Sequence, residues 1–100
     1  MPKGYWIAHI DVNDPEAYKA YASANAEAFR KYGARFLVRG GRTEVVEGKA
    51  RARHVVIEFP DFDTALACYR SPEYAKAMTL REGASVGDIL VVEGYDGVQP

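Results

Sequence analysis

The side chains best suited to chemistry in this sequence are His9, Glu58, Arg39, Arg42, Tyr69, Tyr74 and Arg81. An imidazole beside a carboxylate has its charged form favoured and can act as general base or acid. That is the role expected of His9 and Glu58 if their strands are neighbours. An arginine close by can hold a substrate carboxylate or stabilise an enolate. Arg39 and Arg42 flank the pair Gly40-Gly41. Residues an odd number apart on a regular strand diverge, so a bulge at the glycines would be needed to bring both guanidiniums to one anion site. Tyr69 and Tyr74 bracket Ser71-Pro72, where a helix start would offer N–H groups to an anion. Arg81 falls near the far end of that helix, where a cation also complements the dipole. Each residue has a plainer role beside the chemical one. His9 and Glu58 would serve as a closed polar network at a subunit interface, the tyrosines as packing, and Arg42 and Arg81 as solvated charges.

Positioning these groups requires a sheet and two helical regions. Tyr5–Ile10 is a short apolar run rich in strand formers and gives the first strand. Asn13-Asp14-Pro15-Glu16 signals a helix start, and Tyr18, Tyr21, Asn25, Phe29 and Tyr32 continue one face of a long amphipathic helix ended by Gly33. The second strand is expected over Phe36–Arg39 and Thr43–Val46 with a kink at Gly40-Gly41, and the third over Arg53–Phe59. A second helical region follows, broken near Arg70-Ser71 and running on from Pro72 to Arg81. Ile89–Val92 is the fourth strand, and Asp96–Pro100 a tail.

The order strand–helix–strand–strand–helix–strand is an α+β, ferredoxin-like arrangement with both helices on one face of a four-stranded antiparallel sheet. Residues 1–100 are read as one domain with a core over about 5–94. Parity assigns Trp6, Ala8, Ile10, Val55, Ile57, Phe59, Leu90 and Val92 to the helix side. Tyr5, Ile7, His9, His54, Val56, Glu58, Ile89, Val91 and Glu93 then form the other face. In this reading the first and third strands run parallel, which sets His9 beside Glu58. The second face is too apolar for water, and a second copy of the sheet is the simplest cover, so a homodimer is expected.

Composition narrows the function. A net charge of −1 over 100 residues, with 48% apolar and 27% charged side chains, belongs to a soluble globular chain without the basic excess of a nucleic-acid binder. No apolar run approaches membrane-spanning length, and a single Cys68 fits a reducing cytoplasm. The two histidines and one cysteine lack metal-ligand spacing, and Gly40-Gly41 lies in a strand pattern rather than opening a helix. No cofactor is therefore expected.

Asp14-Pro15-Glu16-Ala17-Tyr18, Phe36-Leu37-Val38-Arg39-Gly40-Gly41-Arg42, Val56-Ile57-Glu58-Phe59 and Tyr69-Arg70-Ser71-Pro72-Glu73-Tyr74 resemble the family known as domain of unknown function 1330. The likeness runs from about Tyr5 to Gly94. It implies a small, bacterial, cytoplasmic subunit of a dimeric α/β barrel, with no activity attached to the family. Arg39, Arg42, Glu58, Tyr69, Tyr74 and Arg81 correspond to its signature positions. Two functional classes follow from the sequence. One is a cofactor-free enzyme, isomerase- or monooxygenase-like, moving a proton on an anionic or carbonyl compound in a pocket near the dimer interface. The other is a ligand-binding or structural homodimer without chemistry.

Overall fold

Strand β1 (Gly4–Val12) is the spine of the fold, flanked by β3 (Arg53–Phe59) on one side and β4 (Ser85–Glu93) on the other. Strand β2 (Arg35–Arg39) completes the order β2-β3-β1-β4, and every neighbouring pair is antiparallel. The computed structural model describes residues 2–100. Helices α1 (Pro15–Ala24), α2 (Ala26–Lys31), α3 (Phe62–Tyr69) and α4 (Pro72–Met78) join one face of the sheet in a single core.

The helix starts follow from their caps. Asp14 accepts from the Ala17 N–H at 3.2 Å ahead of Pro15, and Asp61 accepts from Thr64 N–H at 2.7 Å. Ser71 Oγ accepts from Tyr74 N–H at 3.1 Å ahead of Pro72, and donates to the Cys68 carbonyl at 2.7 Å. That closure occupies the Tyr74 N–H at the α4 start and buries Ser71. The expected long first helix is divided at Asn25 into α1 and α2, although Asn25 keeps right-handed helical angles.

Trp6 is the centre of the core. Its ring meets Tyr74 (4.9 Å between centroids), Phe29 (5.2 Å), Phe59 (5.4 Å) and Tyr69 (5.6 Å), mostly edge-to-face. Its Nε1–H donates to the Ala65 carbonyl at 2.8 Å, so the buried indole leaves no donor unpaired. Cys68 is fully buried, and burial pushes its thiol up to about 12, which makes it an inert core residue.

Four expectations are corrected by the register. First, β1 and β3 are antiparallel, so His9 faces His54 and Glu58 faces Tyr5. Second, Trp6 pairs with Val91 and Ala8 with Ile89, which puts Ile89 and Val91 on the helix side and leaves Leu90 and Val92 on the other. Ile89-Leu90-Val91-Val92 is apolar throughout, so hydropathy alone could not fix its parity. Third, Thr43–Val46 is not a strand: the ladder with β3 ends at Gly40, whose φ of +66° turns the chain out of the sheet. Fourth, the bulge lies at Leu37, between Phe36 and Val38, not at Gly40-Gly41.

Candidate functional site

Tyr18, Tyr21 and Asn25 recur at helical spacing and turn one side of the first helical segment toward the sheet. On β3, Arg53 shares the parity of the buried Val55, Ile57 and Phe59. On β2, Phe36 and Arg39 are three apart and would diverge on a regular strand. The extra residue at Leu37 puts both on the helix side, with Phe36 opposite Ile57 and Arg39 opposite Val55. Arg81 is delivered by the 3-10 turn Thr79–Arg81 that follows α4. These elements enclose a cavity of about 190 Å³ between the helices and the sheet. Ligand sites for drug-sized molecules begin at roughly 300 Å³, so this space suits a compact molecule.

The walls are aromatic and the polar groups are arginines. Arg39 stacks on Phe36, its guanidinium carbon 4.0 Å from the ring centre, and donates to the Ala22 carbonyl at 3.3 Å. Arg53 lies over Tyr18 at 5.5 Å and Arg81 over Tyr21 at 5.3 Å. A Cβ on Gly40 would collide with the Arg53 guanidinium, so the glycine that ends β2 also makes room for this arginine. The Tyr21 and Tyr74 hydroxyl oxygens are 2.6 Å apart, and Arg81 Nη2 reaches the Tyr74 oxygen at 3.5 Å. Burial pushes the Tyr74 hydroxyl far up, with Tyr21 reinforcing the shift, so Tyr74 keeps its proton. Asn25 Oδ1, Arg53 Nε and Arg81 Nε are all buried and have no hydrogen-bond partner within the chain. Among the described residues lining the cavity there is no Asp, Glu or His.

The sequence candidates therefore separate. Arg39, Tyr69 and Arg81 line this cavity, and Tyr74 stands behind it against Tyr21. Arg42 does not join Arg39: it is exposed, beside Thr43 and Glu44 beyond the end of β2. His9 and Glu58 lie on the opposite face of the sheet. His9 Nδ1 is 2.8 Å from His54 Nδ1, and Glu58 accepts from the Tyr5 hydroxyl at 3.2 Å. The two residues are four ladder positions apart, on the order of 13 Å at the usual strand rise, too far for shared proton transfer. Sequence reasoning missed Arg53, Tyr21 and the pocket role of Asn25. Arg53 could have been found by carrying β3's parity two residues upstream. The signal for Asn25 is a polar amide within an otherwise apolar helical stripe. Among the described residues, no three His, Cys, Asp or Glu side chains are grouped to hold a metal ion, and no helix is long and apolar enough to cross a membrane.

Residues 3–95 match the family described as Domain of unknown function (DUF1330), and the chain belongs to that family. No curated protein matches it. Its fold is similar to that of RPA0582, a protein of unknown function from Rhodopseudomonas palustris (17% identity, TM-score 0.75, 99% of this chain and 85% of that one). It is also similar to SnoaB, a cofactor-independent oxygenase from Streptomyces nogalater (12% identity, TM-score 0.64, all of both chains). A third likeness is to a dimeric protein of unknown function and ferredoxin-like fold from Bacteroides fragilis (14% identity, TM-score 0.54, 91% and 95%). At these identities the likeness is one of fold.

Proposed function

Taking membership of the DUF1330 family as the premise, we propose that this protein binds a compact anionic organic molecule bearing a carbonyl or phenol-like oxygen. The site is the cavity between α1 and the sheet. One observation carries the reading: Arg39, Arg53 and Arg81 line an aromatic cavity with no acidic side chain among its described lining residues to balance them. Arg39 is exposed and Arg53 and Arg81 are half-buried, but the Nε atoms of Arg53 and Arg81 are withdrawn from water without an acceptor, a state that costs free energy until a partner is supplied. An anionic ligand supplies the missing partner, while the rings of Tyr18, Tyr21 and Phe36 supply its apolar contacts. The fold shared with a cofactor-independent oxygenase supports chemistry done on the ligand by side chains alone. A non-catalytic binding role is favoured by a different fact, that no carboxylate or imidazole lines the cavity to act as a base.

The outer sheet face, with Tyr5, Ile7, Val56, Leu90 and Val92, fits a second copy of the chain, a reading supported by the dimeric state of the Bacteroides fragilis protein of similar fold. The pocket would then lie inside each subunit, across the sheet from the interface.

Trp6, the chain's sole tryptophan, lines the cavity and reports on it directly. Benzoate and naphthoate should quench its emission saturably, their neutral amides at least tenfold more weakly, and Arg53→Gln should lose most of the difference. Quenching that ignores the ligand's charge would overturn the assignment. Exchange of a bound ketone's α-protons in D2O, followed by NMR, separates an enzyme from a binder.

A further inference from the structure

We propose that the Arg81 end of this cavity is an oxyanion site, which takes the ionised oxygen of a phenol or enol and lowers that group's pKa on binding. The inference deepens the reading of the cavity as an anion-binding site and rests on it. Its first support is the direction of the hydrogen bonds. A guanidinium only donates, so at 3.5 Å Arg81 engages a lone pair of Tyr74 Oη. Tyr74 is fully buried and does not line the cavity, so if Tyr21 were the donor the Tyr74 hydrogen would be stranded; the pair is satisfied with Tyr74 donating to the Tyr21 oxygen, 2.6 Å away. Tyr21 accepts in that pair, and its own O–H is left without an acceptor in the chain. Tyr21 lines the cavity, so the acceptor it lacks belongs to whatever occupies that space.

The second support is the unpartnered Nε of Arg81, buried beside the same group, and that of Arg53 across the cavity. The charged groups facing this end are Arg39 from β2, Arg53 from β3 and Arg81 itself. The titratable ones are Tyr18 and Tyr21 from α1, Tyr69 from α3 and Tyr74 from α4. Glu73, the acid of α4, pairs through Oε2 with Lys31 at 2.8 Å; its Oε1 is buried without a partner, and the residue does not line the cavity. Asn25 Oδ1 is the one buried, unpartnered acceptor side-chain atom of the described lining, and every charged group facing this end is a cation, so the surroundings favour a negative oxygen over a neutral one. The anion of a phenol or enol accepts from Tyr21 and pairs with Arg81, and the proton released on ionisation goes to solvent. Hydrogen bonds to an ionised acceptor are about twice as strong as neutral ones. The site thus favours the charged form without any general base, which fits the lack of one among the lining residues.

The probe is 4-hydroxy-3-nitrobenzoate, whose phenol and phenolate absorb at different wavelengths. Its phenolic pKa is read by absorbance across pH with and without saturating protein. We expect a fall of at least one unit, a tenfold or greater preference for the phenolate. Its methyl ether, 4-methoxy-3-nitrobenzoate, keeps the carboxylate but cannot ionise, and should bind at least tenfold more weakly. Arg81→Gln should return the bound pKa to its free value, with circular dichroism reporting the fold. Should that variant unfold, Tyr21→Phe removes the cavity-facing donor and should shrink the shift. A bound probe with an unchanged or raised pKa, or equal affinity for probe and ether, overturns the oxyanion site while leaving the anion-binding cavity standing. Failure of both compounds to quench Trp6 overturns the cavity reading itself.

Discussion

The two faces of the sheet treat their charges in opposite ways. On the outer face Arg51 is shared between Asp11 (2.9 Å) and Asp88 (3.2 Å), Tyr5 donates to Glu58, and the two histidines face one another. One outer-face atom, His54 Nε2, is buried without a partner. On the helix side the chain provides aromatic walls and guanidiniums, and neither Arg53 Nε nor Arg81 Nε has an acceptor. Polar groups that satisfy one another belong to folding and assembly. Three buried polar atoms left open around one cavity, those of Asn25, Arg53 and Arg81, are what a ligand would complete. The contrast shifts the search for function from the face carrying His9 and Glu58 to the one carrying Arg39, Arg53 and Arg81.

The largest effect should separate adjacent residues on β1. Trp6→Ala removes the ring at the centre of the core and should cost about 3–5 kcal/mol, measured by urea unfolding followed by circular dichroism. Ile7→Ala, one residue along and on the outer face, should cost about 0.5 kcal/mol or less if that face meets solvent. In a homodimer it should cost about 2 kcal/mol or more, because Ile7 is then interior. Equal losses at both positions in a monomeric protein would break the distinction between the faces.

Next in size is a charge on the outer face. Val56→Asp should convert a dimer to a monomer that keeps its fold, since an unpaired charge in a closed interface costs about 3 kcal/mol or more. Sedimentation equilibrium reads the change directly. A wild-type chain that is monomeric at micromolar concentration would remove the second copy from the outer face.

What could be read ahead of the structure depended on how local the signal was. Caps, prolines and stripes placed the helices to within a few residues because each is set by neighbours in sequence: Asp14-Pro15 and Ser71-Pro72 both open helices as expected. The strand order was likewise accessible from the succession of elements. Register was not, because it is a property of pairs of strands. One wrong sense between β1 and β3 moved Glu58 from a neighbour of His9 to a partner of Tyr5. The idea that a bulge re-aims an arginine applies to Arg39, but the extra residue is Leu37, which no glycine marks. Gly40 serves other ends, a positive φ and space for Arg53. The cavity depends on three elements meeting over the sheet, so only its separate members, Arg39, Tyr69 and Arg81, were visible beforehand.

The smallest effect tests whether the outer charges are as self-contained as they look. Asp11 Oδ1 accepts from the Ala52 N–H and Oδ2 from Arg51, both at 2.9 Å, which fastens the segment entering β3 to the end of β1. The Ala52 backbone bond first, and then Arg51, hold this carboxyl below its ordinary value of 3.8. A pKa depressed in the folded state contributes stability that is fully present above the unfolded value and is lost as pH falls through the folded one. Asp11→Asn should therefore lower the melting temperature slightly at pH 7, and the gap should close as the pH falls below 3.8 and through the depressed folded-state value. Asp61, held down by Thr64, and Glu73, held down by Lys31, weaken over the same acid range. They do so in both proteins and drop out of the difference. The pair is exposed, so only a small shift is expected, reduced further by salt. A gap that stays constant from neutral to acid pH would show that the amide lost geometry rather than charge, and that the carboxylate contributes no electrostatic clamp.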